Sequence, residues 1–178
     1  LGDNIQQVAE QTKFSATETA QGVQTLGQAG LTVNESINAL QGVTDLATGT
    51  MSEFASVSDL VTTTLNAFHL EAVETTRVAD IFANAINNSK ANIDKLTTSF
   101  NYVGAAGKQA GLNLNEVTGI LMTLYDNGLR ASTAGTGLRR MLLKMINPTD
   151  EVKENIEAIG LSLDMLNPKM VGVEQAFA

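Results

Sequence analysis

Residues 29–35 read AGLTVNE and residues 110–116 read AGLNLNE, so one phrase returns 81 residues further along the chain. Each copy closes one apolar-periodic stretch and opens another. Glycine at such a place supplies the left-handed residue that ends a helix. The leucine after it can turn into the core. Thr32 or Asn113 then offers a side-chain oxygen to the new helix, and Glu35 or Glu116 reaches back to the cap. Gly30, Leu31, Gly111 and Leu112 therefore read as structural turns, and the phrase reads as punctuation. Its return marks a duplicated helical unit, supported by Gln28/Gln109, Leu40/Leu121 and Asp45/Asp126. Any two-helix hairpin converges partly on such a sequence, and two copies are too few to define a solenoid.

Apolar spacing is helical nearly throughout. Val33, Ile37, Leu40 and Val43 form one stripe, and Phe54, Val57, Leu60 and Leu65 another. Val78, Ile81 with Phe82, and Ile86 follow; then Val117, Leu121 and Leu124; then Leu138, Met141 with Leu142, and Met145, a stripe that reads as core; then Val152, Ile156 and Ile159. Start signals fall before these stripes: Ser15 with Glu18, Thr32 with Glu35, Thr50 with Glu53, and Asn113 with Glu116. Asn147-Pro148 followed by two acids predicts a further start, with Asn147 as the cap. Gly30, Gly111, Gly128 and Gly160 sit at stops. The predicted helices lie near 3–13, 16–28, 33–48, 51–67, 71–88, 92–109, 114–127, 133–146 and 149–159. The expected fold is all-α: a multi-helix array of about eight or nine short antiparallel helices with an internal duplication. Its units are expected at 1–70 and 71–147, with an acidic helix and an irregular segment at 148–178. Aromatic residues are only 4% of the chain and Trp is absent, so small and mid-sized side chains must fill the core.

The residue inventory narrows the chemistry. With no Cys, disulfides and thiolate metal sites are excluded, and a single His excludes sites needing two imidazoles. No apolar run reaches the ~18–20 residues of a membrane span. Asp150, Glu151, Glu154 and Glu157 read as a helix start with a solvated face, and His69 as a joint residue. The best candidate for a site is RASTAGTGLRR, residues 130–140, where a glycine-containing loop opens a helix near Arg130, Arg139 and Arg140. It matches neither GxxxxGK[ST] nor a GxGxxG after a strand. Gly135 and Gly137 are therefore expected to let two helices approach closely. The arginines are expected to form an interaction surface, meeting acids on another helix or another chain. No catalytic residue, metal ligand or cofactor site is expected.

The net charge of −8 is unevenly spread. Residues 1–76 hold nine acids and one base, residues 77–149 eight bases and four acids, and residues 150–178 six acids and two bases. Overall acidity argues against nucleic-acid binding. The asymmetry suits either a solvated surface of drifting sign or a neighbouring copy or partner.

The order of the motifs adds a resemblance. AGL-x-x-NE is followed by DLATGT (45–50), LVTTTLNAFHL (60–70), RVADIFANAINNSKANIDKL (77–96), YVGAAGKQAGL (102–112) and NGLRASTAGTGLRRML (127–142). Over residues 5–146 this set resembles the core region of phage tail tape measure proteins, the minor tail protein family of long-tailed phages. The resemblance implies a non-enzymatic structural protein that acts as ruler and scaffold for tail-tube polymerisation and is released during genome ejection. It implies partners among tail-tube proteins, tail-tip proteins and tail-assembly chaperones, and a homo-oligomer. It implies a place in the virion, in the tail-tube lumen or at the tail tip, after assembly in the host cytoplasm, with membrane contact only during ejection. The alternative is a peptidoglycan-hydrolase or membrane-active module of a tail protein.

Overall fold

A computed structural model describes residues 14–158 and 167–172, together with Gly2, Gln6, Glu10, Ser162 and Asp164. Among the described residues there are nine α-helices and no strand. They are α1 (Ala16–Gln28), α2 (Val33–Gly49), α3 (Phe54–Phe68), α4 (Thr75–Asn88), α5 (Ile93–Gln109), α6 (Leu114–Asp126), α7 (Ala131–Ile146), α8 (Asp150–Ala158) and α9 (Pro168–Val171). A 3₁₀ turn, Ala72–Glu74, precedes α4. The helix expected near 3–13 lies outside the described residues except for Gly2, Gln6 and Glu10, which are helical. Ile159 and Gly160 also lie outside them.

The repeated phrase does what its residues dictate. Leu31 N–H donates to Leu26 O and Gly30 N–H to Gly27 O, while Leu112 N–H donates to Gly107 O and Gly111 N–H to Lys108 O. This is the Schellman arrangement, which satisfies the last carbonyls of a helix through a left-handed residue. Gly30 has φ 101° and Gly111 φ 83°. Both capping boxes form: Thr32 and Asn113 N–H each lie 2.7 Å from the glutamate three residues on. Their side-chain oxygens accept from Glu35 N–H at 3.3 Å and Glu116 N–H at 3.0 Å. Hydrogen bonds from Thr32 hold the Glu35 carboxyl below its ordinary pKa.

The same joint occurs more often than the phrase does. At residues 127–130, Leu129 N–H donates to Leu124 O and Gly128 N–H to Tyr125 O. At residues 50–53, Ser52 N–H donates to Ala47 O and Met51 N–H to Thr48 O, with Met51 at φ 53°. Four of the interhelical connections are therefore one four-residue unit: helix end, left-handed residue, a residue whose N–H returns to the helix, extended cap. A fifth helix end, after α3, uses His69 at φ 54° as its left-handed residue. Left-handed backbone costs a non-glycine residue about 1–2 kcal/mol. His69→Gly is accordingly expected to raise stability by about 0.5–1 kcal/mol and Gly111→Ala to lower it by about 1–2 kcal/mol, read as shifts in urea midpoint.

Three expectations about helix starts and glycines are corrected. Thr50 and Glu53 form no capping box: Thr50 closes α2, its hydroxyl donates to Leu46 O at 2.7 Å, and Glu53 precedes α3 without a side-chain cap bond. Asn147 closes α7 instead of capping α8, its N–H donating to Leu143 O, and α8 begins only at Asp150. Gly135 and Gly137 both lie inside α7, within the helix expected at 133–146, but a Cβ on Gly137 would meet open space, so only Gly135 provides a close approach.

Sequential helices reverse direction, yet the most extensive packing joins alternate ones: α5 with α7, α3 with α5, α2 with α4, and α1 with α3. These alternate pairs run the same way. Glu53 and Ser56 at the start of α3 share a groove with Ile93 and Asp94 at the start of α5, and further along, Ala67 and Phe68 meet Gly104. Gly42 of α2 lies against Thr76 of α4, and a turn or two later Gly49 shares a groove with Ala83 and Asn87. The result is two layers, α1, α3, α5 and α7 in one and α2, α4 and α6 in the other. One apolar core runs between them from Phe14 to Leu142. Phe100 of α5 stands at its centre, its ring 5.3 Å from Phe82 of α4 and 6.2 Å from Phe68 of α3.

Candidate interaction surface

Helix α7 is placed by a glycine and a buried polar pin. A Cβ on Gly135 would lie 2.8 Å from Ser99 Cα and 2.9 Å from Ser99 O, so the absence of a side chain lets α7 rest on the backbone of α5. Beside that contact, Ser99 Oγ donates to Ala131 O at 2.8 Å. Tyr125 Oη donates to Ser99 Oγ at 2.7 Å and lies 3.0 Å from Lys95 O. Three helices are thereby tied at one end, since Ala131 opens α7, Tyr125 closes α6 and Lys95 opens α5. Lys90 reinforces that end: its N–H donates to Asp126 Oδ1 at 2.7 Å and its Nζ to Asp126 O at 2.9 Å.

Tyr125 is 1% exposed, and burial pushes its hydroxyl up to about 12 despite the bond to Ser99, which lowers it. Because the raised value favours the neutral form in the folded state, this contribution is complete below the ordinary value near 10. It is lost as pH rises through about 12. The urea midpoint is expected to fall between about pH 10 and pH 12, and Tyr125→Phe, which cannot ionise, to show a shallower decline.

The structure divides the sequence-predicted residues into two groups. Gly30, Leu31, Gly111, Leu112 and Gly135 shape joints and helix contacts. Leu112 is buried, Leu31 half-buried, and Gly111 lies against Lys169 of the short helix α9. Arg130, Arg139 and Arg140 are all exposed, and none has an ion-pair partner among the described residues. Arg130 is the N-cap of α7, without a side-chain cap bond. Arg139 and Arg140 point about 100° apart on the helix, so the three do not converge on one point. Arg140 shares its side with Lys144, one turn on.

Lys144 belongs to a feature that sequence reasoning missed. A groove of about 260 Å³ runs between the last turns of α7 and the start of α8, lined by Met141, Met145, Pro148, Val152 and Ile156 as well as Lys144. Met141 is 40% and Val152 43% exposed, so this apolar stripe is not fully covered. In sequence, Met141 and Met145 read as core; the signal that could have revealed the groove is the proline that breaks the chain between two amphipathic helices. Among the described residues, no group of three or more His, Cys, Asp or Glu could hold a metal ion. No described helix is long and apolar enough to cross a membrane.

Comparison with known proteins places this geometry in context. The family described as phage-related minor tail protein matches residues 2–178. The tape measure protein of Pneumococcus phage Dp-1 is 34% identical over 167 residues, covering 94% of this chain and 14% of that protein. The probable tape measure protein of Escherichia phage P2 is 24% identical over 162 residues, covering 90% of this chain and 20% of that protein. The chain thus spans a small part of either relative. No solved structure matches it.

Proposed function

This chain belongs to the phage-related minor tail protein family, and on that premise we propose that it works as a helical ruler-and-scaffold segment of a tape measure protein, without catalysis. The observation that carries this reading is the two-layer array itself. Four connections are one repeated joint, and the polar pin at Tyr125 and Ser99 ties helices together instead of facing a cleft. Such a body contributes shape, spacing and surface. Residues 1–70 and 71–147 then serve as its two helical units and 148–178 as an acidic appendage. In this reading the chain meets tail-tube and tail-tip proteins and tail-assembly chaperones, and several copies associate. It resides in the tail-tube lumen or at the tail tip after assembly in the host cytoplasm, and is released during genome ejection. Arg130, Arg139 and Arg140 form one of its contact surfaces. The net charge of −8 suits a body that must later move without adhering.

The reading is tested by the protein content of intact and emptied virions. Peptides from this segment are expected in intact tails and depleted from tails that have ejected their genome. Equal amounts in both would contradict release. Clearing of peptidoglycan by the purified chain, lost on changing one acid, would favour the hydrolase alternative.

A further inference from the structure

Two surfaces at opposite ends of the array carry opposite charge beside exposed apolar groups. Ser99 of α5 binds Ala131 at the start of α7, so α7 begins near the α5 N-terminus and carries Met141–Met145 toward the other end. There the apolar groove has a basic margin: Lys144 lines it and Arg140 lies one turn back on α7, while Lys153 of α8 is paired with Asp150 at 2.8 Å. The four carboxylates of α8 fall about 100° or more around the helix from the Val152–Ile156 face. At the α5 N-terminal end the polarity is reversed. Met51 protrudes at 87% exposure from the joint between α2 and α3. Glu53 and Asp94 line the adjoining groove together with Met51. Met51 holds the one of the four repeated joints where the left-handed position is filled by a residue other than glycine, at φ 53°. Glycine there would relieve strain, so the fold retains an exposed thioether at a cost in stability.

We propose that the Met51 knob with its acidic margin, Glu53 and Asp94, docks into the Met141–Ile156 groove with its basic margin, Arg140 and Lys144, of a second copy of this chain. The contact rests on the reading above, in which several copies meet, and assigns the surfaces they use. A methionine side chain adapts to an irregular apolar groove lined by other methionines, and opposite charges around it fix orientation and exclude like-charged approaches. Knob and groove are different surfaces, so the contact is heterologous and propagates unless symmetry closes it. The patch is smaller than the ~800 Å² per partner of a stable interface, so association is weak and salt-sensitive.

The test is sedimentation velocity of the purified chain up to about 500 µM, in about 50 and 500 mM salt. Self-association is expected at low salt and about tenfold weaker at high salt. Glu53→Lys with Asp94→Lys, and separately Arg140→Glu with Lys144→Glu, are each expected to abolish it while retaining the wild-type helical signal. A mixture of the two charge-reversed variants is expected to associate again, because each knob then meets an opposite groove. A monomeric wild type, variants that associate like wild type, or a mixture that stays monomeric would each overturn the contact. Normal tails assembled from either charge-reversed variant alone would leave the ruler reading intact while removing this contact from it.

Discussion

Phe100→Ala is expected to cost about 3–5 kcal/mol, the range for deleting a buried phenylalanine ring that its surroundings cannot collapse to fill. The position warrants the full range. Phe100 is 1% exposed and meets the rings of Phe82 and Phe68, so it joins both layers of the array where three helices converge. Helices α3 and α5 are already in close contact, because Gly104 lies against the side chains of Ala67 and Phe68. Little room is left for them to close further, so most of the cavity persists. Urea denaturation followed by circular dichroism measures the loss. Phe100→Leu should recover most of it, since it restores volume while removing only the ring contacts.

A second pair of substitutions, two residues apart on one helix, is expected to act in opposite directions. Gly135→Ala should destabilise by about 2–3 kcal/mol, the upper range for overpacking. Its Cβ meets Ser99 backbone atoms at 2.8 and 2.9 Å, and backbone cannot swing aside as a side chain can. Helix α7 must lift away, which also stretches the Ser99 to Ala131 bond and strains the Tyr125 pin. Gly137→Ala should stabilise by about 0.5–1 kcal/mol, because the position is helical, exposed and open, and only helix propensity changes. Thermal melts of the two variants beside wild type would show one midpoint falling and the other rising. Two falls or two rises would mean that α7 does not rest on α5 through Gly135.

Why some of this was legible in the sequence and some was not has a physical basis. The joints at 29–32 and 110–113 could be read because each carries its chemistry locally: a glycine for the left-handed residue and a capping box three residues wide. The equivalent joint at 50–53 could not, because Met51 takes the left-handed conformation without being glycine. Thr50 and Glu53 imitate a capping box, but the Thr50 hydroxyl is already bound to Leu46 O. Helix type followed from the 3.6-residue period. The pairing of alternate helices did not, since it depends on which faces meet across 30 or more residues. Ser99, Tyr125 and Ala131 are unremarkable until the fold unites them. Gly135 was legible as a contact glycine and Gly137 beside it was misread. Both are small residues in one run, and only the neighbouring helix distinguishes the buried one from the open one. The exposure of the arginines was legible from their charge, whereas the groove flanked by Lys144 required the bend at Pro148 to bring two stripes together.

The central claim is that this chain serves a phage tail through the extent and surface of its helical array. In-frame duplication of the segment within its parent protein, followed by electron microscopy of the resulting tails, tests that claim most directly. The account predicts tails of a single new and greater length. Tails of unchanged length and normal yield would contradict it.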